Sequence, residues 1–211
     1  MYQKFGKRLI DLVLSAIGIV VLAPVWLILA IAIKIDDPGP VFFRQKRIAQ
    51  DKNGEQQFFQ IYKYRSMKMC TPKDTPTHLL ENPEQYITKV GGFLRKTSLD
   101  ELPQIFNIFA GQMSIIGPRP ALWNQDDLYE ERAKYGANGV KPGLSGWAQI
   151  NGRDELPIGV KARLDGEYVE NLSFLFDCKC FFGTIVSVLK SDGVVEGGTG
   201  AMEKEKEEAE K

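Results

Sequence analysis

Residues 12–33 form an uncharged apolar run, and no other stretch limits the possible folds of this chain so strongly. A helix needs about 20 such residues to cross the hydrocarbon core of a bilayer, and the run has that length. It is too long for the h-region of a secretory signal, and Asp36-Asp37-Pro38 is not a small-residue cleavage site. A buried core helix is the remaining alternative to a membrane segment. Pro24 falls near the middle, where its ring crowds the carbonyl of Val20 and one helical hydrogen bond is missing, so the helix must kink or break there. Lys4, Lys7 and Arg8 precede the run, and Lys34, Arg44, Lys46 and Arg47 follow it. Basic residues on both sides give a straight span no orientation under the positive-inside rule, whereas a helix that dips into the bilayer and returns obeys it. The sequence therefore predicts a re-entrant helix-break-helix over residues 1–36. Polar groups freed at its bend need partners within the protein, and Ser15 is too far away to serve.

After this segment the pattern changes to short β-like stretches. Residues 41–48 and 58–65 flank a turn containing Asn53-Gly54, which predicts a β-hairpin. Lys63 and Arg65 stand two apart in its second arm and share a face, suited either to phosphate or to solvent. Residues 69–82 are polar and contain prolines, as a loop with a short helix nearby would. A charged helix is expected over residues 123–135. Residues 168–189 are apolar but carry Asp177 and Lys179, which argues against a span and for an amphipathic helix on a membrane surface or against the core. The tail, residues 193–211, is rich first in Gly and then in Glu and Lys, as a frayed helix or a flexible charged segment would be. The expected fold is thus α+β: a membrane hairpin, a small second domain over residues 37–192 with a β-hairpin and amphipathic interfacial helices, and the tail.

Chemistry concentrates in Leu94-Arg95-Lys96-Thr97-Ser98-Leu99-Asp100-Glu101-Leu102-Pro103-Gln104. Pro103 is tolerated in the first turn of a helix, so a helix is expected to start near Asp100 and to place a carboxylate at its positive end. Ser98-x-x-Glu101 also has the spacing of a capping box, and the local sequence leaves both readings open. Further on, Gly117-Pro118-Arg119-Pro120 holds an arginine in a rigid turn, where its fork of donors suits phosphate. The glycines of residues 141–153 either let a backbone approach a ligand or make tight turns, and they match no dinucleotide or Walker fingerprint.

Other chemistries are poorly served. The single histidine, His78, has no triad partners around it, and Cys70, Cys178 and Cys180 have neither zinc nor CxxC spacing. The thiols are expected to be free. The 27 basic residues equal the 27 acidic ones, so no overall field favours nucleic acid.

In order along the chain stand the apolar segment, Asp37-Pro38-Gly39-Pro40-Val41-Phe42, Lys63-Tyr64-Arg65-Ser66-Met67, the Asp100-Glu101 stretch and Gly117-Pro118-Arg119-Pro120. Then come Pro142-Gly143-Leu144-Ser145-Gly146-Trp147-Ala148-Gln149-Ile150-Asn151-Gly152-Arg153 and Tyr168-Val169-Glu170-Asn171. With this ordered set the chain resembles the bacterial sugar transferases, the small monotopic polyprenyl-phosphate phosphoglycosyl transferases, in their minimal form. The resemblance implies transfer of a phosphosugar from a UDP-sugar to polyprenol phosphate with release of UMP. It also implies Mg²⁺ as cofactor, with the catalytic domain on the cytoplasmic face of a bacterial cytoplasmic membrane. Asp100 would be the nucleophile, Glu101 with Asp100 the metal ligands, and Lys63, Arg65, Arg95 and Arg119 the substrate-binding cations. The substrates and the lipid bilayer are then the partners, and a homo-oligomer is compatible with the sequence. A membrane-anchored scaffold of the same fold without turnover is the alternative. Two segments depart from the family's common pattern. Residues 136–141 lack the Arg-His pair many relatives have there, and Asp154-Glu155-Leu156-Pro157 replaces a common aromatic residue. Both bear on sugar or nucleotide selection, and the sugar is left open.

Overall fold

The computed structural model describes residues 2–71, 82–152 and 156–190, so His78, Arg153 and the expected tail lie outside the described residues. A single π-helical turn, Tyr2–Gly6, leads into α1 (Lys7–Val21), which is followed after Leu22 by α2 (Ala23–Asp36) at a bend of 61°. The break comes at Leu22, two residues before the proline. Leu22 N–H still reaches the Gly18 carbonyl at 3.0 Å, and α2 then starts so that Pro24 lies in its first turn, where the missing donor costs nothing. Ser15 bonds the Leu12 carbonyl and takes no part in the bend. Among the described residues no single helix is long and apolar enough to cross a membrane, whereas α1 and α2 together are.

The polarity of α1 is inverted relative to a surface helix of a soluble domain. Its buried residues are Asp11 and Ser15, while Leu9, Val13, Leu14, Ile17, Val20 and Val21 are exposed. The polar side faces protein. Arg8 donates to the carbonyls of Ile108 and Phe109 at 2.7 and 2.8 Å, and Asp11 accepts from Ser114 Oγ and Ile115 N–H at 3.1 and 2.9 Å. Lys7 pairs with Asp177 at 2.6 Å. In α2, Leu29 and Ile33 enter a core cluster with Tyr64 and Leu94, while Leu27, Ile28, Ile31 and Ile35 stay exposed.

The expected hairpin is present. Strands β1 (Phe42–Ile48) and β2 (Phe58–Tyr64) pair antiparallel, from Phe42 opposite Tyr64 to Ile48 opposite Phe58. Asn53 and Gly54 both have positive φ between the bridged Lys52 and Glu55, as a tight two-residue turn requires. Helix α3 (Lys89–Lys96) is capped by the Thr88 hydroxyl, which accepts from Gly91 N–H. After it come α4 (Gln104–Phe109) and β3 (Ser114–Ile116), which pairs in parallel with β4 (Gly143–Ser145). The two β strands approach so closely that a Cβ on Gly143 would lie 2.1 Å from Gly117 N, and these two glycines therefore serve backbone packing.

Between these strands lies α5 (Asp126–Ala133), shorter at its start than expected because Leu122 N–H bonds the Gln125 side chain in a turn ahead of it. Helix α6 (Trp147–Ile150) follows β4, and the expected apolar stretch at residues 168–189 falls on two helices, α7 (Ile158–Glu170) and α8 (Phe174–Lys190). One side of α8 turns Asp177 and Cys180 inward, while Leu175, Phe182 and Val186 remain exposed. Cys70, Cys178 and Cys180 are free thiols, as expected.

Candidate active site

The expectation that a helix starts at Asp100 needs correction. Leu99–Glu101 is a 3₁₀ turn, and α4 begins only at Gln104, with Pro103 just before it. Pro103 has no N–H to give to the Leu99 carbonyl four residues back, and that carbonyl instead accepts from Leu102 N–H at 3.2 Å. The capping box is absent too: Ser98 adopts a left-handed conformation, φ 55°, and its side chain caps nothing. Asp100 and Glu101 are held on a tight turn, without the support of a long helix.

Glu101 is the hub of the site. Its Oε1 accepts from Lys63 Nζ at 2.7 Å and from Arg119 Nη2 at 2.7 Å, while Oε2 accepts from Arg119 Nη1 at 3.2 Å. Lys63 Nζ stands 4.0 Å from Asp100 Oδ2. Lys63, Arg119 and the carboxylate pair come from three different elements. Lys63 is the penultimate residue of β2, and Arg119 sits in the rigid turn after β3. That turn is braced on both sides, since Gly143 N–H donates to the Pro118 carbonyl at 2.8 Å and Arg47 donates to the Pro120 carbonyl at 3.0 Å.

Of the six expected site residues, Lys63, Asp100, Glu101 and Arg119 converge. Arg95 flanks them: its Nε donates to Ser66 Oγ at 2.9 Å, and its charge acts on Asp100. Arg65 is placed elsewhere. It lies just past the end of β2, pairs with Asp37 Oδ2 at 2.7 Å and also bonds the Asp37 carbonyl, so it braces the exit from α2. The sequence reading missed Arg47, Ile61, Gln104 and Pro120, which line the same small pocket as Lys63, Glu101 and Arg119. Strand alternation could have found two of them. Arg47 and Ile61 fall on the same face of the paired hairpin as Lys63.

Residues 2–191 match the bacterial sugar transferase family. The chain belongs to that family. It is 39% identical over 186 residues to the UDP-glucose:undecaprenyl-phosphate glucose-1-phosphate transferase of Escherichia coli. It is 38% identical over 195 residues to the protein of the same name from Xanthomonas campestris pv. campestris. These alignments take in 85% and 89% of this chain, but the chain spans only 39% and 40% of those relatives. It is also 40% identical to the uncharacterised sugar transferase EpsL of Bacillus subtilis, where 89% of each chain is covered.

In this member of the family the two adjacent carboxylates have opposite electrostatic fates. Burial pushes the Asp100 carboxyl above the ordinary aspartate range, and the Glu101 charge adds to that, against the opposing pull of Lys63, Arg95 and Arg119. Burial acts on Glu101 in the same sense, but Arg119 and Lys63 together outweigh it and hold that carboxyl well below the ordinary range. This differs from the expectation of a carboxylate at the positive end of a helix. The charges that favour its anion are side chains, mainly Lys63.

Among the described residues no three metal-ligating side chains cluster. Two neighbouring carboxylates nevertheless suit Mg²⁺, which is commonly bound by one or two carboxylates together with substrate phosphates. The donor set of this site therefore fits a metal shared with a phosphate-bearing ligand.

Proposed function

We propose that this chain transfers a phosphosugar from a UDP-sugar to polyprenol phosphate, releasing UMP, at the cytoplasmic face of a bacterial membrane. The observation that carries this reading is the cation-clamped Asp100–Glu101 pair, in a member of this family whose N-terminal helices turn apolar side chains outward. Lys63, Arg95 and Arg119 outnumber the two carboxylates, and this surplus of positive charge suits a diphosphate. The relatives' names, which specify UDP-glucose and undecaprenyl phosphate, support the substrate classes.

In the first step an Asp100 carboxylate oxygen attacks the phosphorus that bears the sugar. The bond from that phosphorus to the bridging oxygen breaks, UMP leaves with the oxygen, and an aspartyl phosphosugar remains. In the second step an oxygen of polyprenol phosphate attacks the same phosphorus and expels Asp100 as carboxylate. Arg119 and Lys63 stabilise charge on the phosphoryl oxygens in both steps, and Glu101 positions these two cations. Asp100 and Glu101 would hold Mg²⁺, which when bound screens the negative charge of the diphosphate.

The test uses purified full-length protein with Mg²⁺, polyprenol phosphate and a panel of UDP-sugars. Release of UMP with at least one sugar, lost on chelation of the metal, is expected. Release of UDP, or of no nucleotide, would overturn the reading.

The membrane placement has its own test. The exposed apolar sides of α1 and α2 and the 61° bend support a re-entrant hairpin. Cysteines introduced near residues 4 and 46 should both be labelled from the cytoplasmic side in intact vesicles of known orientation. Labelling of the two positions from opposite sides would mean a simple span.

A further inference from the structure

Gln104 opens α4, one helical turn beyond Asp100 and Glu101, and is only 1% exposed. It lines the pocket formed by Lys63, Glu101, Arg119 and Arg47. Among the described residues its Nε2 has no hydrogen-bond partner. A buried amide N–H without an acceptor costs free energy, so its persistence calls for a reason. Asn107, three residues further along the same short helix and fully buried, shows the usual solution. Its Oδ1 accepts from Tyr62 N–H at 3.0 Å, and its Nδ2 donates to the Gln60 carbonyl and the Gln112 side chain at 2.8 and 2.7 Å. Gln104 is built into the same helix without that completion.

The surroundings of Gln104 explain what its N–H lacks. Lys63, Arg119 and Arg47 carry donors only, and the carboxylate of Glu101 already accepts three bonds from two of them. The pocket is therefore rich in donors and short of acceptors. The complement is a compact group with several acceptor oxygens, and a phosphoryl group has that character. We infer that Gln104 is a substrate-binding residue whose side-chain N–H donates to a phosphoryl oxygen of the bound substrate. The inference deepens the transferase reading and rests on it for the identity of the phosphate. It adds a neutral donor to the charged clamp, fixed by burial and able to select an orientation where the cations supply attraction.

The experiment compares wild type with Gln104→Met, which keeps the volume and removes the donor, and with Gln104→Glu, which places negative charge in the same position. UMP release, melting temperature and calorimetric binding of UDP, inorganic pyrophosphate and uridine are measured on the full-length protein. Gln104→Met is expected to lower turnover on the order of 10²-fold, the usual loss for one preorganised donor. Affinity for both UDP and pyrophosphate should fall on the order of tenfold, with the melting temperature unchanged or raised. Gln104→Glu should weaken both phosphates further. Wild-type affinity of Gln104→Met for UDP and pyrophosphate would overturn the inference. So would a drop in melting temperature that matches the activity loss, since that marks a structural role, and so would wild type binding neither probe. A loss of affinity for uridine alone would assign the donor to the nucleoside and overturn the phosphoryl contact. If wild type binds UDP more tightly than Gln104→Met but releases no UMP with any sugar, the transferase reading fails while the phosphoryl contact stands.

Discussion

Asp100→Asn is expected to reduce UMP release by about four orders of magnitude or more while leaving the melting temperature unchanged or higher. The two readouts move apart because the same burial governs both. Burial raises the folded-state pKa of Asp100 above its ordinary value, so the folded protein favours the protonated form and charging the group costs stability. The sign follows directly. Any stability this carboxyl contributes is present at low pH and is lost as pH rises through its folded pKa, so a neutral asparagine removes a penalty at pH 7. Asparagine cannot form the aspartyl phosphosugar, however. A residue that merely braced the turn would show the reverse pattern, little change in turnover and a lower melting temperature. In the wild type, the acid limb of the pH–rate profile should lie above the ordinary aspartate range, because the nucleophile must lose its proton. An acid limb within the ordinary range would count against Asp100 as the nucleophile.

Glu101→Gln should have the largest effect on stability. The change leaves Lys63 and Arg119 facing each other without the carboxylate that both bond. Breaking a buried pair from one side typically costs about 3 kcal/mol or somewhat more, because a charge stays behind without compensation. For a chain of this size that corresponds to a fall of roughly 6–12 °C in melting temperature. The depressed pKa of Glu101 fixes the pH dependence. Its contribution is fully present above its unfolded pKa, about 4.3, and fades as pH falls toward the lower folded value. Melting curves of the two proteins should therefore be well separated at pH 7 and approach each other below about pH 4. An equal separation at both pH values would mean that the lost interaction is not the ionic one.

Much of this arrangement was legible in the chain. The β-like stretches flanking Asn53-Gly54 predict the hairpin, and the apolar run with Pro24 predicts a broken helix, because both depend on local sequence alone. Four of the six expected site residues converge, since Arg119 is fixed by its flanking prolines and Lys63 by strand alternation. Three features escaped for physical reasons. Arg65 shares a predicted face with Lys63, but β2 ends at Tyr64 and Asp37 takes Arg65, a partner brought close only by the exit from α2. The sequence around Asp100-Glu101 suggests a helix with Pro103 in its first turn, whereas the missing N–H of Pro103 resolves the segment into a 3₁₀ turn followed by a separate helix. The pocket lining of Gln104 had no signal in the sequence, since its burial depends on how α4 meets β2.

The way α1 is fastened has a consequence for modularity. A typical membrane anchor is a detachable tether, exchangeable for another without harm to the domain it carries. Here the first turns of α1 supply Arg8 to the carbonyls that end α4, Asp11 to the backbone of β3 and Lys7 to Asp177 of α8. Excising residues 1–36 would orphan these groups and uncover Tyr64 and Leu94, so the remainder is not a self-sufficient domain. In this chain the apolar N-terminal helix pair is a structural organ of the domain that follows it, and grafting a foreign helix in its place would have to reproduce its polar side before its apolar one.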